Sequence, residues 1–153
     1  MDIETTLQSF NTAASRLANL FNSLPDPDLQ VYEFWTARDL LMHLTFWHES
    51  FARNVSDLAA GRKPHPLRGR LSDLNQQGVE SMRNLPPEAV LARFQSAHAL
   101  IQQNILNPAL TLIPYKVGSR GYTPQEHLDI VQAHITQHTC DIEKAVSKRR
   151  PQA

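Results

Sequence analysis

Histidines are the residues of this chain best suited to chemistry, and three of the seven are placed to act together. His134 and His138 are four residues apart in a segment with helical periodicity, so their side chains lie on one face of that helix. His43 falls at the edge of the apolar stripe of an earlier helix. If the two helices run antiparallel, the three imidazoles meet at one level. They would then hold one divalent cation and leave coordination positions open for water or substrate.

A structural role is the alternative interpretation of the same spacing. Pairs of the form H-x-x-x-H often arise on helices by chance, and a histidine at a core edge is commonly a hydrogen-bonded polar residue. The H-E-x-x-H zincin motif is absent, because residues 135–137 are Ile-Thr-Gln. Three imidazoles also suit several ions, so zinc, nickel, manganese and iron all stay open as the predicted cofactor.

The remaining candidates receive weaker predictions. We expect His127 at the surface, because it lies in the first turn of the last helix. We expect Cys140 to be a small packed residue, since its spacing of two from His138 points the side chains apart. A ligand pocket between helices is predicted to be lined by Trp47, Asn75, His98 and Tyr115. Core packing, helix capping and loop packing are the structural alternatives for these four residues.

Glycines and prolines divide the chain into the helical segments that must position these side chains. The predicted helices cover about residues 3–23, 36–61, 72–84, 86–107 and 123–149. Thr36 with Asp39, and Thr123 with Glu126, form the two capping-box signals. Gly78 is expected to weaken the third helix. Since no segment shows period-two alternation, we predict one all-α domain over residues 1–153, a four-helix bundle with a long crossover and one short extra helix.

Composition excludes several classes of function. Lys plus Arg and Asp plus Glu number 15 each, so the formal net charge is zero and no nucleic-acid partner is expected. No apolar run approaches the roughly 20 residues of a membrane span. The N-terminus lacks the pattern of a signal peptide. With one cysteine there is no internal disulfide, and we expect a cytoplasmic protein with no membrane partner.

Two stretches resemble the DinB/YfiT-like superfamily. Residues 34–44, FWTARDLLMHL, are similar to its second helix, which carries one metal-binding histidine. Residues 122–128, YTPQEHL, followed by His134 and His138, are similar to its last helix, which carries the other two. The resemblance implies an up-down-down-up bundle, a metal bound by His43, His134 and His138, and a homodimer. Superfamily members include metal-dependent thiol-transferases and isomerases.

The middle of the chain resembles one branch of that superfamily, the ClbS/DfsB-like four-helix bundle proteins. The similar positions are residues 46–49 (FWHE), 59–64 (AAGRKP) and 74–76 (LNQ), with Phe94, His98, Ile101 and Gln102. That branch hydrolyses the strained ring of a genotoxic metabolite and lacks the three-histidine set.

Together these features predict a metal-dependent hydrolase or thiol-transferase that acts on an electrophilic small molecule, in detoxification or self-protection. Two alternatives stay open. One is a non-catalytic bundle that sequesters a small molecule, and the other is a metal-free hydrolase of the ClbS kind.

Overall fold

Helices account for most of residues 2–149, which are the residues that the computed structural model describes. They are α1 (Ile3–Ser23), α2 (Ala37–Ala59), α3 (Leu71–Ser81), α4 (Pro87–Asn104) and α5 (Pro124–Arg149). Extended pairings within this part of the chain are limited to isolated bridges. The all-α prediction is therefore confirmed, with α3 as the short extra helix. The single domain over residues 1–153 stays a prediction, and Met1 and residues 150–153 lie outside the described residues.

Both predicted capping boxes set the starts of the helices that carry the candidate site. Asp39 N–H donates to Thr36 Oγ1 over 3.1 Å, and Thr36 N–H donates to the Asp39 carboxylate over 3.0 Å. Glu126 N–H and Thr123 Oγ1 form the same pair at 3.2 Å, and Thr123 N–H reaches Glu126 Oε1 at 3.0 Å. Each box satisfies backbone donors that the helix leaves free. The starts of α2 and α5 fix which side chains face the core.

Helices α1 and α5 run in the same direction. Near their starts, Gln125 Nε2 donates to Thr6 Oγ1 over 3.4 Å. Further along both helices, Arg16 forms an ion pair with Glu143. Because the contacts move from the start towards the end of both helices, α1 and α5 are parallel.

Helices α2 and α4 also run in the same direction. Arg38, in the first turn of α2, donates to the carbonyl of Leu85, just before α4 begins. Glu49, later in α2, forms an ion pair with Arg93 of α4. The long connection through α3 makes this parallel arrangement feasible, because two parallel neighbours need a crossover.

Helices α2 and α5 are antiparallel. His43 near the start of α2 faces His134 in the middle of α5, whereas Phe51 further along α2 stacks on His127 near the start of α5. Taken with the two parallel pairs, this gives the up-down-down-up bundle that the resemblance implies. The fold thereby places His43 opposite the H-x-x-x-H pair.

Two helix ends differ from prediction, and one glycine has a different role. Helix α3 ends at Ser81 and α4 at Asn104, each about three residues early, because the following residues form tight turns with backbone bonds three residues apart. Gly78 lies against Phe46 of α2, where an added Cβ would come within 2.5 Å of the ring. Gly78 therefore permits α3 to approach α2 closely and is not simply a weak point.

Among residues 2–149, no helix combines the length and apolar character needed to span a membrane.

Candidate metal centre and adjoining cavity

The three predicted ligands, here called the histidine trio, are His43, His134 and His138. Nε2 of His134 lies 3.2 Å from Nε2 of His43 and 2.9 Å from Nε2 of His138. All three ligand atoms fall within 4.8 Å of one another. The rings are steeply inclined to one another in T-shaped contacts, with interplanar angles of 64° to 90°. No other such cluster of His, Cys, Asp or Glu occurs within residues 2–149.

Tyr32 and Asp141 set the protonation of one member of the trio. The Tyr32 hydroxyl contacts His138 Nδ1 at 2.9 Å and also contacts the Asp141 carboxylate. An ionised carboxylate only accepts, so the hydroxyl donates to Asp141 and accepts the Nδ1–H of His138. Burial and the Asp141 carboxylate both raise the pKa of Tyr32, which keeps its proton. His138 Nε2 is then a bare lone pair aimed at the trio, as a metal ligand requires.

Burial keeps the trio neutral. His43 is only 4% exposed, and burial lowers its pKa to about 3, with the other two histidines acting in the same direction. Burial lowers the pKa of His138 to about 4 and also lowers that of His134. His43 Nδ1 is buried and has no hydrogen-bond partner. Neutral imidazoles are the form that binds metals, so the donor set fits a divalent cation.

A cavity of about 330 Å³ adjoins the trio through His134. Its walls come from α2, α5 and the loop between α4 and α5. Ile130 also lines the cavity and is 48% exposed, so the cavity reaches the molecular surface there. The trio thus stands beside a space of the size that holds a small molecule.

Comparison with known proteins identifies the family. The family model of the mycothiol maleylpyruvate isomerase N-terminal domain matches residues 10–107, more than half of the chain. The chain belongs to this family. The matched region runs from α1 through α4, so it contains His43, while His134 and His138 follow it. No curated protein matches the chain.

Solved structures agree with the family. The crystal structure of the mycothiol-dependent maleylpyruvate isomerase aligns with a TM-score of 0.75 at 12% identity. A histidine-to-alanine mutant of that enzyme aligns with a TM-score of 0.74, also at 12% identity. Each alignment covers 93% of this chain and 61% of the other, so this chain spans less than two thirds of that enzyme. The likeness establishes the DinB-like fold. The finer resemblance to the ClbS/DfsB-like branch stays a prediction.

Two of the four predicted pocket residues line the cavity in this member of the mycothiol maleylpyruvate isomerase N-terminal domain family. Trp47 and Tyr115 form part of its wall and stack with ring centroids 4.9 Å apart. Asn75 is not a wall residue but accepts a 2.7 Å hydrogen bond from Trp47 Nε1, which holds the indole in place. His98 also lies outside the wall.

A second group, here called the histidine pair, consists of His48 and His98. His98 Nε2 bonds Asn11 Oδ1 at 2.8 Å, and His98 Nδ1 bonds His48 Nε2 at 3.0 Å. Because Asn11 Oδ1 can only accept, the His98 Nε2–H donates to it and His98 Nδ1 accepts from His48. Phe10 stacks on His98 at 4.5 Å and Phe94 stacks on His48 at 4.3 Å. The pair therefore has the features of hydrogen-bonded core residues.

The surface prediction for His127 is wrong, because only 4% of this residue is exposed. Its ring stacks on Phe51 at 4.0 Å, and Tyr115 and Tyr122 approach it edge-on. The loop before α5 folds over the first turn of that helix and buries it. The spacing of seven between His127 and His134 was the signal for an inward position.

Asn54 lines the cavity and is 1% exposed, yet sequence reasoning did not select it. Its spacing of three from Phe51 places both on the inner face of α2.

Cys140 is half-buried with Sγ 3.6 Å from Arg16, and it is not a member of the trio.

Proposed function

We propose that this chain is an enzyme whose histidine trio holds a divalent metal ion and which joins a thiol, or water, to an electrophilic small molecule. The convergence of three Nε2 atoms beside a cavity is the observation that supports it most strongly. Such an ion, when bound, lowers the pKa of a thiol or water, so that this group ionises at neutral pH. The ion also stabilises developing negative charge. Zinc, nickel, manganese and iron all suit this donor set.

The chain's own residues have separate tasks in this proposal. The Tyr32 and Asp141 pair holds the His138 proton at Nδ1, so that Nε2 stays available. Trp35 packs against the His43 ring at 4.9 Å and restricts its orientation. The cavity beside His134 binds the electrophile and holds it next to the trio.

The family favours a thiol over water as the second reactant. The related crystal structure is named as a mycothiol-dependent isomerase of maleylpyruvate. Since this chain spans 61% of that protein, we carry over the class of reactant and leave both the particular thiol and the particular substrate open. In thiol addition, sulfur bonds to the electrophilic carbon and the thiol proton passes to the adduct. A role in detoxification or self-protection follows from this chemistry as part of the proposal.

A second candidate function is capture of a small molecule without turnover. It is favoured by the cavity itself, whose aromatic wall binds ligands with or without a metal. Metal-free hydrolysis of the ClbS kind is the remaining alternative. Neither alternative explains why three imidazole edges converge.

Metal content separates the proposal from both alternatives. Protein without a His-tag is purified, incubated with zinc, nickel, manganese or iron salts, desalted and analysed by elemental mass spectrometry. Wild type is expected to retain about one ion per chain and His138→Ala to retain none. His65→Ala, which changes an exposed loop histidine, is the matched control. Absence of metal in wild type under every condition would contradict the proposal.

Turnover then distinguishes thiol addition from hydrolysis and from capture. An epoxide and an activated alkene are incubated with the metal-loaded protein, with and without a small thiol. We expect thiol-dependent consumption that His138→Ala abolishes. Thiol-independent ring opening would favour the hydrolase, and binding without consumption would favour capture. The predicted homodimer is tested on the same samples by light scattering.

A further inference from the structure

The wall of the cavity carries no fixed charge. Within the described residues, no Lys, Arg, Asp or Glu lines it. Arg120 lies over the ring of Tyr122, a wall residue, but its guanidinium pairs with Glu126 and is not part of the wall. Burial lowers the pKa of His127 to about 4, and no acidic side chain lines the wall beside it, so this wall histidine is neutral at pH 7. An anionic ligand group would be desolvated in the cavity without a compensating cation from the wall.

Asn54, a residue of the cavity wall, carries an unused acceptor. Its Nδ2 donates to the carbonyl of Pro114 over 3.2 Å. Because a carbonyl only accepts, this bond fixes which end of the amide faces Pro114. The other end, Oδ1, is buried and has no hydrogen-bond partner. Such an atom is satisfied only by a donor, which a ligand or water must bring.

His127 presents a second set of unused groups. Its side chain is almost fully buried, and neither ring nitrogen hydrogen-bonds another residue within the described chain. A neutral imidazole carries one N–H donor and one bare acceptor nitrogen. The acceptor nitrogen, like Asn54 Oδ1, needs a hydrogen-bond donor. A carboxylate has none to offer, so it can accept from the imidazole N–H but satisfies neither of these two acceptors.

The shape of the cavity adds a third requirement. The stacked rings of Trp47 and Tyr115 form a flat aromatic wall, and Phe51 with His127 forms another stacked pair. The volume of about 330 Å³ lies at the small end of the range for ligand pockets. Flat conjugated molecules fill such a space and gain stacking contacts.

We infer that this cavity takes an uncharged, flat, conjugated small molecule that carries a hydroxyl or amide N–H, with His127 and Asn54 as its hydrogen-bonding anchors. The inference rests on the proposed function in one respect, namely that this molecule is the electrophile that reacts beside His134. Its recognition by the cavity is independent of any metal. The substrate class of this chain is therefore neutral hydrogen-bond donors and not carboxylates.

Two nearly isosteric probes test the charge requirement. Calorimetric titration of the metal-free protein at pH 7 compares para-hydroxybenzamide, which is neutral, with para-hydroxybenzoate, which is an anion. The amide is expected to bind at least about tenfold more tightly, because the cavity does not compensate a buried carboxylate. Equal or tighter binding of the carboxylate would overturn the inference. So would failure of both probes to bind at millimolar concentration, which would leave water as the occupant.

The anchors are tested from both sides of the contact. His127→Phe keeps the stack on Phe51 but removes both nitrogens, and we expect amide binding to weaken roughly five- to tenfold. His65→Phe, at an exposed loop position, is the matched control and should bind as wild type. Unsubstituted benzamide lacks the hydroxyl. The difference between its affinity and that of para-hydroxybenzamide for wild type gives the effect of losing the donor without any change to the protein. Unchanged affinity for both His127→Phe and benzamide would overturn the assignment of the anchors.

One further variant distinguishes this inference from the metal proposal. His138 does not line the cavity, so His138→Ala should lose metal yet keep the preference for the amide. A preference that disappears in His138→Ala would place the probe at the trio and overturn the inference. If wild type binds no metal and the amide preference persists in both proteins, the metal proposal fails and this inference stands.

Discussion

The histidine trio and the histidine pair are built from the same residue type at similar depth, yet they differ in how their hydrogen bonds are completed. His43 of the trio is 4% exposed and His48 of the pair is 2% exposed. In the pair, each N–H between the rings and Asn11 meets an acceptor, so the chain of bonds is complete. In the trio, three Nε2 atoms face one another, and Tyr32 makes at least one of them a bare lone pair.

Neither burial nor a lowered pKa is therefore enough to mark a metal centre. Burial lowers the pKa of His98 to about 4, the same value as for His138. The two groups differ in how their ring nitrogens are arranged. The Nε2 atoms of the trio converge on one point, whereas the nitrogens of the pair form a chain of hydrogen bonds in which each donor meets an acceptor. A cation completes the first arrangement and would disrupt the second.

The largest expected effect is on metal affinity. His134→Ala removes the central ligand, and we expect zinc to bind more than about 100-fold more weakly. His98→Ala removes a histidine of the pair and should leave zinc affinity within about twofold of wild type. Competition against a fluorescent chelator measures both. A comparable loss in His98→Ala would erase the distinction between the two groups.

The histidine pair should matter for the stability of the metal-free protein, although it does not matter for metal affinity. His98→Ala leaves His48 Nε2 and Asn11 Oδ1 unpaired and opens a void between Phe10 and Phe94, so we expect a cost of about 2 kcal/mol in the free energy of unfolding. Urea unfolding in the presence of a chelator measures it. Added zinc should then raise the unfolding midpoint of His98→Ala as it does for wild type. No loss of stability would show that the pair is not a structural unit.

A smaller effect is expected from the residue that orients the trio. Tyr32→Phe removes the acceptor for the His138 Nδ1–H, and zinc affinity should fall roughly tenfold. Asn11→Leu removes the corresponding partner of the pair and is the matched control, expected to leave zinc affinity unchanged. Chelator competition again measures both variants. A Tyr32→Phe protein that binds zinc as wild type does would remove Tyr32 from the account of the site.

The elements that carry the trio were predictable because their signals are local. The two residues of each capping box, and the two histidines of the H-x-x-x-H spacing, lie only three or four positions apart, and the structure places them as expected. His43 was placed on the correct face of α2 by its distance from Leu40 and Trp47. Local periodicity therefore sufficed for the bundle and for the faces of its helices.

The partners of these histidines were not predictable, because they are distant in sequence and have no pattern. Tyr32 lies 106 residues before His138 in an irregular segment. The burial of His127 depends on how residues 108–122 fold over the start of α5, and loop conformation has no periodic signature. The unpartnered acceptor of Asn54 follows from the bond between its amide nitrogen and the carbonyl of Pro114, which is 60 residues away in sequence.

The coordination of a bound ion tests the central claim most directly. Zinc-edge X-ray absorption of the loaded, untagged protein reports the number and type of ligands. The account predicts three imidazole nitrogens at about 2.0–2.1 Å in wild type, and His43→Ala should lose that three-histidine signature. Zinc bound by oxygen ligands alone, or a spectrum that His43→Ala leaves unchanged, would contradict the assignment of the trio as the metal centre.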